Sequence, residues 1–347
     1  MLTPRKILVV KNKHLGDIIL SQPAFWALHR AFPDAELDVL LSAHTRELVE
    51  GFRWIHQTLE TPPKTGGFRR LRREIQLARV IATRGYDLFV DLTWSDRAMG
   101  YALLSRARQR WAIQVTAGSF LKPYVYHQYG GKPDRSWHVI EHERQFLIKM
   151  GIPPYVPEFF FPETPVESAR VRAWMQANEL VCDRLVVVHP TSRWLFKCWN
   201  DDKVAALLDW LPTQGWQPVV TSGPSAKEVE KARRILAMAK SQPAVRLGDL
   251  SLRELAALLR HAQFMFGIDS APMHLAAAVG CRAVVLFGPS QVNRWRPYGE
   301  HHVVLTADCP CLARREPVCD KSQVMKCMNS ISLRQVQEAI LQNCRRA

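Results

Sequence analysis

The chain has 347 residues, of which 47% are hydrophobic and 23% charged, and its formal net charge is +15 at pH 7. That length exceeds what one hydrophobic core normally supports and predicts two domains, while the composition excludes a disordered protein. No apolar run approaches the roughly 20 residues of a membrane span, and the N-terminal run is too short for a signal peptide, so we expect a cytoplasmic protein.

Strand-like and helix-like patterns alternate through the first half of the chain. The predicted strands and helices are Ile7–Val10, Ala24–Phe32, Leu37–Leu41, Arg70–Thr83 and Asp87–Leu92. Ser21 and Pro23 are typical of a helix start, since serine caps a helix and proline tolerates its first turn. Such alternation predicts mostly parallel sheets with helices on both faces.

Five prolines within residues 152–165 predict a linker, because proline continues neither a helix nor a central strand. We therefore expect an N-terminal domain over residues 1–160 and a C-terminal domain over residues 161–330. A last helix, Leu333–Leu341, is expected to cross back to the first domain. The predicted elements of the second domain are Leu185–Val188, Asp201–Leu211, Pro218–Thr221, Ala226–Ala239, Val245–Leu247, Leu252–Arg260, Phe264–Ile268, Pro272–Val279 and Ala283–Phe287.

The positive charge predicts anionic partners, such as nucleic acid, an anionic membrane surface or phosphorylated small molecules. Arginines are densest at Arg69, Arg70, Arg72 and Arg73, although a solvated helix face explains them equally well. No RNA-binding or zinc-finger pattern accompanies them, so nucleic acid is not an expected partner.

The eight cysteines include a cluster in a loop-like segment near the C-terminus, namely Cys309, Cys311, Cys319 and Cys327. Their spacings fit no standard zinc pattern, which normally contains two closely spaced cysteine pairs. Reduced structural thiols are the expectation for a cytoplasmic protein, and a metal or redox site is the alternative.

Two polar segments, Lys11–Asp17 and Gly267–His274, each follow a predicted strand and open a helix-like stretch. Ligands of open α/β sheets bind at the carboxyl ends of strands and at helix N-termini. Two such segments in one chain predict two α/β domains that face each other across a cleft. This arrangement suits the transfer of a group from a phosphorylated donor.

Asp17 is a candidate general base for an acceptor hydroxyl, and a capping aspartate is the structural alternative. In the second segment, Ser270 is a plausible N-cap and Pro272 fits the first helical turn, whose free N–H groups suit a phosphate. Asp269 is placed for sugar hydroxyls. His274 fits either a phosphate or sugar contact or a purely structural role.

The segment after the strand Leu185–Val188 offers hydroxyls and a lysine for a phosphate, at Thr191, Ser192 and Lys197, with a plain polar loop as the alternative. Gly223 lies in a tight turn at the same sheet edge, and Glu228 is a candidate acceptor for a ribose hydroxyl. Known phosphate-binding loops, dinucleotide fingerprints and nucleophile elbows are absent. Since no Asp-x-Asp pair stands near these segments, a divalent metal is not required.

In this order, the motifs resemble those of the lipopolysaccharide heptosyltransferases over nearly the whole chain. They are Lys11–Asp17 with Ser21–Pro23, Val188–Thr191, Thr221–Pro224, Gly267–His274 and Leu286–Gly288, while residues 192–199 are most similar to the heptosyltransferase III branch. The resemblance implies a GT-B fold of two Rossmann-like domains. It also implies an inverting, metal-independent transfer of heptose from ADP-L-glycero-β-D-manno-heptose to the inner core of lipopolysaccharide, with no further cofactor.

The resemblance also implies roles for individual residues: Asp17 would be the base and Lys197 would stabilise the leaving ADP. The donor-binding residues implied by the resemblance are Thr191, Ser192, Lys197, Leu250, Asp269, Ser270, Ala271 and His274, and Gly223 and Glu228 join them from the residue pattern. The implied acceptor-binding residues are Lys13, His14, Arg69, Arg70, Arg73, His138 and Glu141. The acceptor is an anionic, lipid-linked sugar, which implies peripheral contact with the cytoplasmic face of the inner membrane.

Two alternatives remain open at this point. One is a GT-B enzyme that uses another acceptor, as in the heptosyltransferase I or II step, or another nucleotide sugar, since the fold does not fix the substrate. The other is a non-catalytic protein that binds anions through its arginines. Donor competition tests the first alternative, and strongly salt-dependent DNA binding without sugar-nucleotide binding would indicate the second.

Overall fold

The computed structural model describes residues 3–63, 67–93, 95–114, 121–131, 134, 136–307, 319 and 325–344. The chain divides into two units, Met1–Pro162 and Glu163–Ala347. The division lies within the proline-rich segment, two residues beyond the predicted boundary. Cys309 and Cys311 lie outside the described residues, whereas Cys327 is buried in the core of the second unit.

The first unit is a fully parallel sheet of six strands in the order β3-β2-β1-β4-β5-β6. Its strands are β1 (Lys6–Lys11), β2 (Glu36–Leu41), β3 (Gln57–Glu60), β4 (Leu88–Asp91), β5 (Gln109–Ala112) and β6 (Gln128–Tyr129). Its α-helices are α1 (Leu15–Ala31), α2 (Gly67–Thr83), α3 (Asp96–Ser105), α4 (Lys122–Val125) and α5 (Val139–Lys149). The central strand β1 is apolar because helices cover both of its faces.

The predicted start of helix α1 at Ser21–Pro23 is wrong. The helix begins at Leu15, and Pro23 lies inside it rather than in its first turn. A proline within a helix costs about 3 kcal/mol. Burial of the apolar side chains on α1, including Phe25 and Leu28, offsets that cost.

Helices α1 and α2 cover opposite faces of this sheet, since right-handed crossovers run in opposite directions from β1 to β2 and from β3 to β4. On one face, Leu77 and Ile81 of α2 pack in a core with Leu8 and Val10 of β1. On the other face, α1 packs against α5. The two helices therefore carry their side chains on different sides of the unit.

The second unit repeats the topology, with a fully parallel sheet in the order β12-β11-β10-β7-β8-β9. Its strands are β7 (Leu185–His189), β8 (Gln217–Ser222), β9 (Ala244–Leu247), β10 (Phe264–Ile268), β11 (Arg282–Phe287) and β12 (Val303–Thr306). Its α-helices are α6 (Pro165–Ala177), α7 (Asp201–Thr213), α8 (Ala226–Met238), α9 (Leu252–His261), α10 (Ala271–Ala278), α11 (Val292–Trp295), α12 (Lys326–Ser330) and α13 (Leu333–Asn343).

Both sheets are doubly wound: strands are first added on one side of the first strand, and the later strands are added on its other side. This reversal lies between β1 and β4 in the first unit and between β7 and β10 in the second. Ligands of such folds bind at the carboxyl ends of these two strands. Helix α13, which was predicted to cross to the first domain, is counted with the second unit and packs against α7 and β12.

Four strands were not predicted from the sequence, namely β3, β5, β6 and β12. The shortest, β6, has two residues, and the remaining three have four each. The strands β4 and β9 are also four residues long and were predicted, so length alone is not the reason. The sequences of β3, β5 and β6 begin with glutamine and contain no continuous apolar run, so pairing with neighbouring strands defines them. Within the described ranges, no helix is long and apolar enough to cross a bilayer.

Candidate active site

The second unit brings together two segments that lie about 70 residues apart in the sequence. Strands β7 and β10 are neighbours, with Gly267 paired to His189, so the loops after them leave the sheet side by side. There, Lys197 Nζ donates a hydrogen bond to Asp269 Oδ2 over 2.6 Å. Both side chains are partly exposed, so this ion pair borders solvent at the switch point of the sheet.

Asp269 also accepts a hydrogen bond from the Ser290 hydroxyl. Ser290 follows β11, the next strand of the sheet, and sequence reasoning missed it. The signal for it is the Gly288-Pro289-Ser290 turn directly after a buried strand, which matches the Ser222-Gly223-Pro224 turn after β8. Because Lys197 and Ser290 both donate to it, the Asp269 carboxylate has a defined orientation.

Helix α10 begins at Ala271 beside this carboxylate, with Pro272 in its first turn as predicted. Ser270 occupies the N-cap position, but its hydroxyl donates to the Ile268 carbonyl oxygen over 3.2 Å and does not cap the helix. The prediction of Ser270 as the N-cap residue is therefore confirmed, although its side chain makes no capping hydrogen bond. His274 is buried within the same helix.

Glu228 lies close to the end of β7, although it comes from the start of α8. Its carboxylate is buried, with Oε1 at 3.5 Å from Thr191 Oγ1 and Oε2 accepting a hydrogen bond from Ser225 Oγ over 2.8 Å. A Cβ at Gly223 would lie 2.5 Å from Glu228 Oε1, so only glycine permits this approach. The structure thus joins three of the predicted donor residues, Thr191, Gly223 and Glu228.

Two further predicted donor residues lie at the same edge of the sheet. Ser192 is buried, and its hydroxyl accepts a hydrogen bond from the Trp194 backbone N–H over 3.2 Å. Leu250 is half-buried after β9, two residues beyond Gly248. Gly248 has a φ of +73°, and its backbone packs against the Gly223 turn, so the loops after β8 and β9 are in contact.

His189, the last residue of β7, is buried beneath these loops. Its Nδ1 lies 2.9 Å from Thr221 Oγ1 of β8. Burial lowers the pKa of His189 to about 4, so the imidazole is neutral at pH 7. The imidazole is therefore a polar but uncharged group at the end of β7, two residues before Thr191.

In the first unit, the candidate base Asp17 lies within the first turn of α1 rather than ahead of the helix. The half-buried Asp17 side chain accepts a hydrogen bond from the His14 backbone N–H at Oδ2, over 3.3 Å. That contact is the capping interaction of the structural alternative, and it fixes the carboxylate at the end of β1. His14 is exposed and Lys13 is half-buried in the same loop.

A buried ion pair beneath this loop was not found from the sequence. Lys11 Nζ donates to Glu143 Oε1 over 2.7 Å, and Ser21 Oγ lies 2.8 Å from the same oxygen and 2.9 Å from the Asp17 carbonyl oxygen. Burial raises the pKa of the Glu143 carboxyl, and the Lys11 ammonium opposes that shift. The available signal was a glutamate on the apolar face of α5, between Ile140 and Leu147.

The predicted acceptor residues are distributed over the loop before α1, helix α2 and the start of α5. His138 is the N-cap of α5, where its Nδ1 accepts from the Ile140 N–H over 3.2 Å. Glu141 binds Arg144 through two hydrogen bonds of 2.7 and 2.8 Å, and that guanidinium lowers the Glu141 pKa. Arg69, Arg70 and Arg73 are exposed on α2, across the sheet from α1, so the structure does not gather this set at one place.

Comparison with known proteins identifies the family. The model of glycosyltransferase family 9 (heptosyltransferase) matches residues 123–325, more than half of the chain. The chain is also 30% identical over 299 residues to lipopolysaccharide heptosyltransferase 3 of Escherichia coli K12, covering 83% of this chain and 84% of that protein. The chain belongs to glycosyltransferase family 9, the heptosyltransferases.

Solved structures agree with the fold of a heptosyltransferase. The family 9 glycosyltransferase from Veillonella parvula superposes with a TM-score of 0.86 at 22% identity, covering 99% of this chain and 98% of that chain. Heptosyltransferase II of E. coli gives 0.78 at 19% identity, with 98% of both chains covered. The predicted family, the two-domain α/β fold of GT-B type and the assignment as a glycosyltransferase are thus confirmed.

For a heptosyltransferase, the second unit offers chemistry suited to an anionic leaving group. The Lys197 ammonium and the N-terminus of α10 supply positive charge, and the Asp269 carboxylate supplies hydrogen-bond acceptors. Among the residues that the structure describes, no three His, Cys, Asp or Glu side chains are grouped as metal ligands.

Proposed function

We propose that this heptosyltransferase transfers L-glycero-D-manno-heptose from ADP-heptose to the inner core of lipopolysaccharide, in the heptosyltransferase III step. The observation that carries the donor site is the convergence of Lys197, Asp269 and the start of α10 at the switch point of the second unit. The 30% identity to a lipopolysaccharide heptosyltransferase 3 supports the step. The net charge of +15 supports an anionic acceptor.

The second unit would bind the donor in this proposal. Lys197 and the first-turn N–H groups of α10 hold the diphosphate, and Asp269 accepts hydrogen bonds from heptose hydroxyls. Glu228 is placed for a ribose hydroxyl, beside Thr191 and Gly223. Ser192, Leu250, Ser270, Ala271 and His274 complete the proposed donor set.

Chemically, the reaction is a single displacement with inversion. Asp17 takes the proton from the acceptor hydroxyl. At the same time the oxygen of that hydroxyl bonds to heptose C1, and the bond from C1 to the diphosphate oxygen breaks. Lys197 neutralises the charge that develops on the departing ADP. The reaction as proposed uses these side chains and needs no divalent metal.

The first unit would bind the acceptor through Lys13, His14, Arg69, Arg70, Arg73, His138 and Glu141. This acceptor is a lipid-linked core oligosaccharide, so the enzyme would work in peripheral contact with the cytoplasmic face of the inner membrane. Exposure of the three arginines on α2 supports contact with an anionic partner.

The test is transfer from ADP-heptose to truncated core acceptors, followed by mass spectrometry of the product. We expect a mass gain of one heptose on the acceptor of the heptosyltransferase III step. Gain only on the acceptors of step I or II would reassign the step, and no transfer from ADP-heptose to any acceptor would refute the proposal. In a parallel thermal melt, ADP-heptose should stabilise the protein and UDP-sugars should not.

A further inference from the structure

Helix α2 of the first unit exposes an apolar ridge to solvent. Phe68, Leu71 and Ile75 are 73%, 55% and 47% exposed. Their spacing of three and then four residues aligns them along one side of the helix, about a third of a turn from the buried Leu77 and Ile81. Helix α2 also exposes Val80, away from this ridge, and buries Leu77 and Ile81. Three exposed apolar side chains aligned on one side suit a helix that also contacts a second apolar phase.

Arginines surround this ridge. Helix α2 carries five arginines, all exposed, and one glutamate, namely Arg69, Arg70, Arg72, Arg73, Arg79 and Glu74. The glutamate accepts hydrogen bonds from Arg97 and Tyr101 of α3, so α2 keeps a large excess of positive charge. Within the described part of the chain, no ion pair joins Arg69, Arg72 or Arg73 to a carboxylate.

The neighbouring helices extend the apolar character of this side. Helix α3 packs against α2 and helix α4 packs against α3 on the same face of the sheet. Leu103 and Leu104 of α3 and Tyr124 of α4 are also exposed, as is Leu121 directly before α4. An exposed apolar surface of this extent, bordered by cationic side chains, is typical of an interaction site.

We infer that α2 is the membrane-docking element of this enzyme, and that it lies in the interface of an anionic bilayer. Phe68, Leu71 and Ile75 enter the boundary between headgroups and acyl chains, while Arg72 and Arg79 bind lipid phosphates. The inference rests on the proposed function for the presence of a membrane, and it names the surface that makes the contact. Charge complementarity selects an anionic bilayer over a neutral one, and the exposed apolar side chains between the arginines suit insertion below lipid headgroups.

The experiment measures sedimentation of the 347-residue chain with vesicles that contain no acceptor. We expect binding to phosphatidylethanolamine–phosphatidylglycerol vesicles and little binding to phosphatidylcholine vesicles. The triple variant F68S/L71S/I75S should bind the anionic vesicles at least tenfold more weakly, because the inserted apolar area is lost. The pair R72Q/R79Q should weaken binding by about fivefold per charge removed.

The matched control is V156S/V166S/V181S, which removes three exposed apolar side chains outside α2 and should leave vesicle binding unchanged. Transfer to a deacylated, water-soluble acceptor separates docking from catalysis. The F68S/L71S/I75S variant should retain wild-type transfer to that acceptor and the wild-type melting temperature. Equal vesicle binding of wild type and triple variant, or loss of soluble transfer in a folded triple variant, would overturn the docking role. Absence of transfer by the wild type would instead refute the proposed function.

Discussion

Lys197 Nζ lies 2.6 Å from Asp269 Oδ2, and this ion pair joins the loop after β7 to the end of β10. The relationship places a cation and an anion at the switch point of the second sheet. Because the Ser290 hydroxyl also binds Asp269, three loops at the carboxyl edge of the sheet converge on one carboxylate. Removing the lysine therefore changes both the charge and the orientation of the proposed donor site.

Replacing Lys197 with alanine should lower kcat for heptose transfer by about a hundredfold to a thousandfold, since one charge that stabilises the leaving group is lost. Steady-state kinetics with ADP-heptose measures the effect. Lys227→Ala, which removes an exposed lysine from α8 of the same unit, is the control and should keep wild-type kinetics. A Lys197→Ala enzyme with unchanged kcat would exclude Lys197 from the reaction.

Replacing Asp17 with alanine should reduce transfer by about a hundredfold to ten-thousandfold, as expected for the loss of a general base. Binding of ADP, measured by calorimetry, should stay within about twofold of wild type. Asp34→Ala, at an exposed aspartate of the same unit, serves as the matched variant. Loss of ADP binding in Asp17→Ala would instead assign Asp17 to the donor site.

The buried Lys11–Glu143 pair should be important for stability. Both side chains are at most 5% exposed, so Glu143→Ala leaves a buried ammonium without its partner. We expect a loss of about 3–5 kcal/mol in the free energy of unfolding, measured by urea denaturation. The double variant Lys11→Met/Glu143→Leu removes both charges and should recover most of that loss. Equal destabilisation by the single and double variants would contradict this account.

His189 should make stability depend on pH. Its pKa in the folded protein is about 4, below the ordinary 6.5, so the unfolded chain takes up the proton first as the pH falls. The contribution of neutral His189 to the free energy of unfolding is complete above pH 6.5 and is lost as the pH falls towards 4. Between pH 7 and pH 5 the loss amounts to about 2 kcal/mol.

Chemical denaturation at several pH values measures this dependence, and His189→Gln should flatten it while keeping a polar group near Thr221. Burial also lowers the pKa of His302 to about 4, so part of the slope should persist in that variant. A profile of His189→Gln identical to that of the wild type would show that the imidazole is not buried in neutral form.

The long buried strands were predictable because their sequences are continuous apolar runs, as in β1, β7 and β10. Prediction of α1 failed at Pro23, since a local rule for proline at helix starts was outweighed by the burial of apolar residues on both sides of it. The role of Glu143 was not predicted, because its partner Lys11 lies 132 residues away in the sequence. A carboxylate on an apolar helix face does not by itself indicate which cation it pairs with.

The sequence by itself determined the alternation of strands and helices, the excess of positive charge and the residue types at the strand ends, because each is encoded in neighbouring residues. The tertiary structure decided which strand ends are adjacent. It paired β7 with β10 and so placed Lys197 against Asp269, and it separated the arginines of α2 from Asp17. Strand order depends on long-range pairing and on the handedness of crossovers, which no local pattern contains.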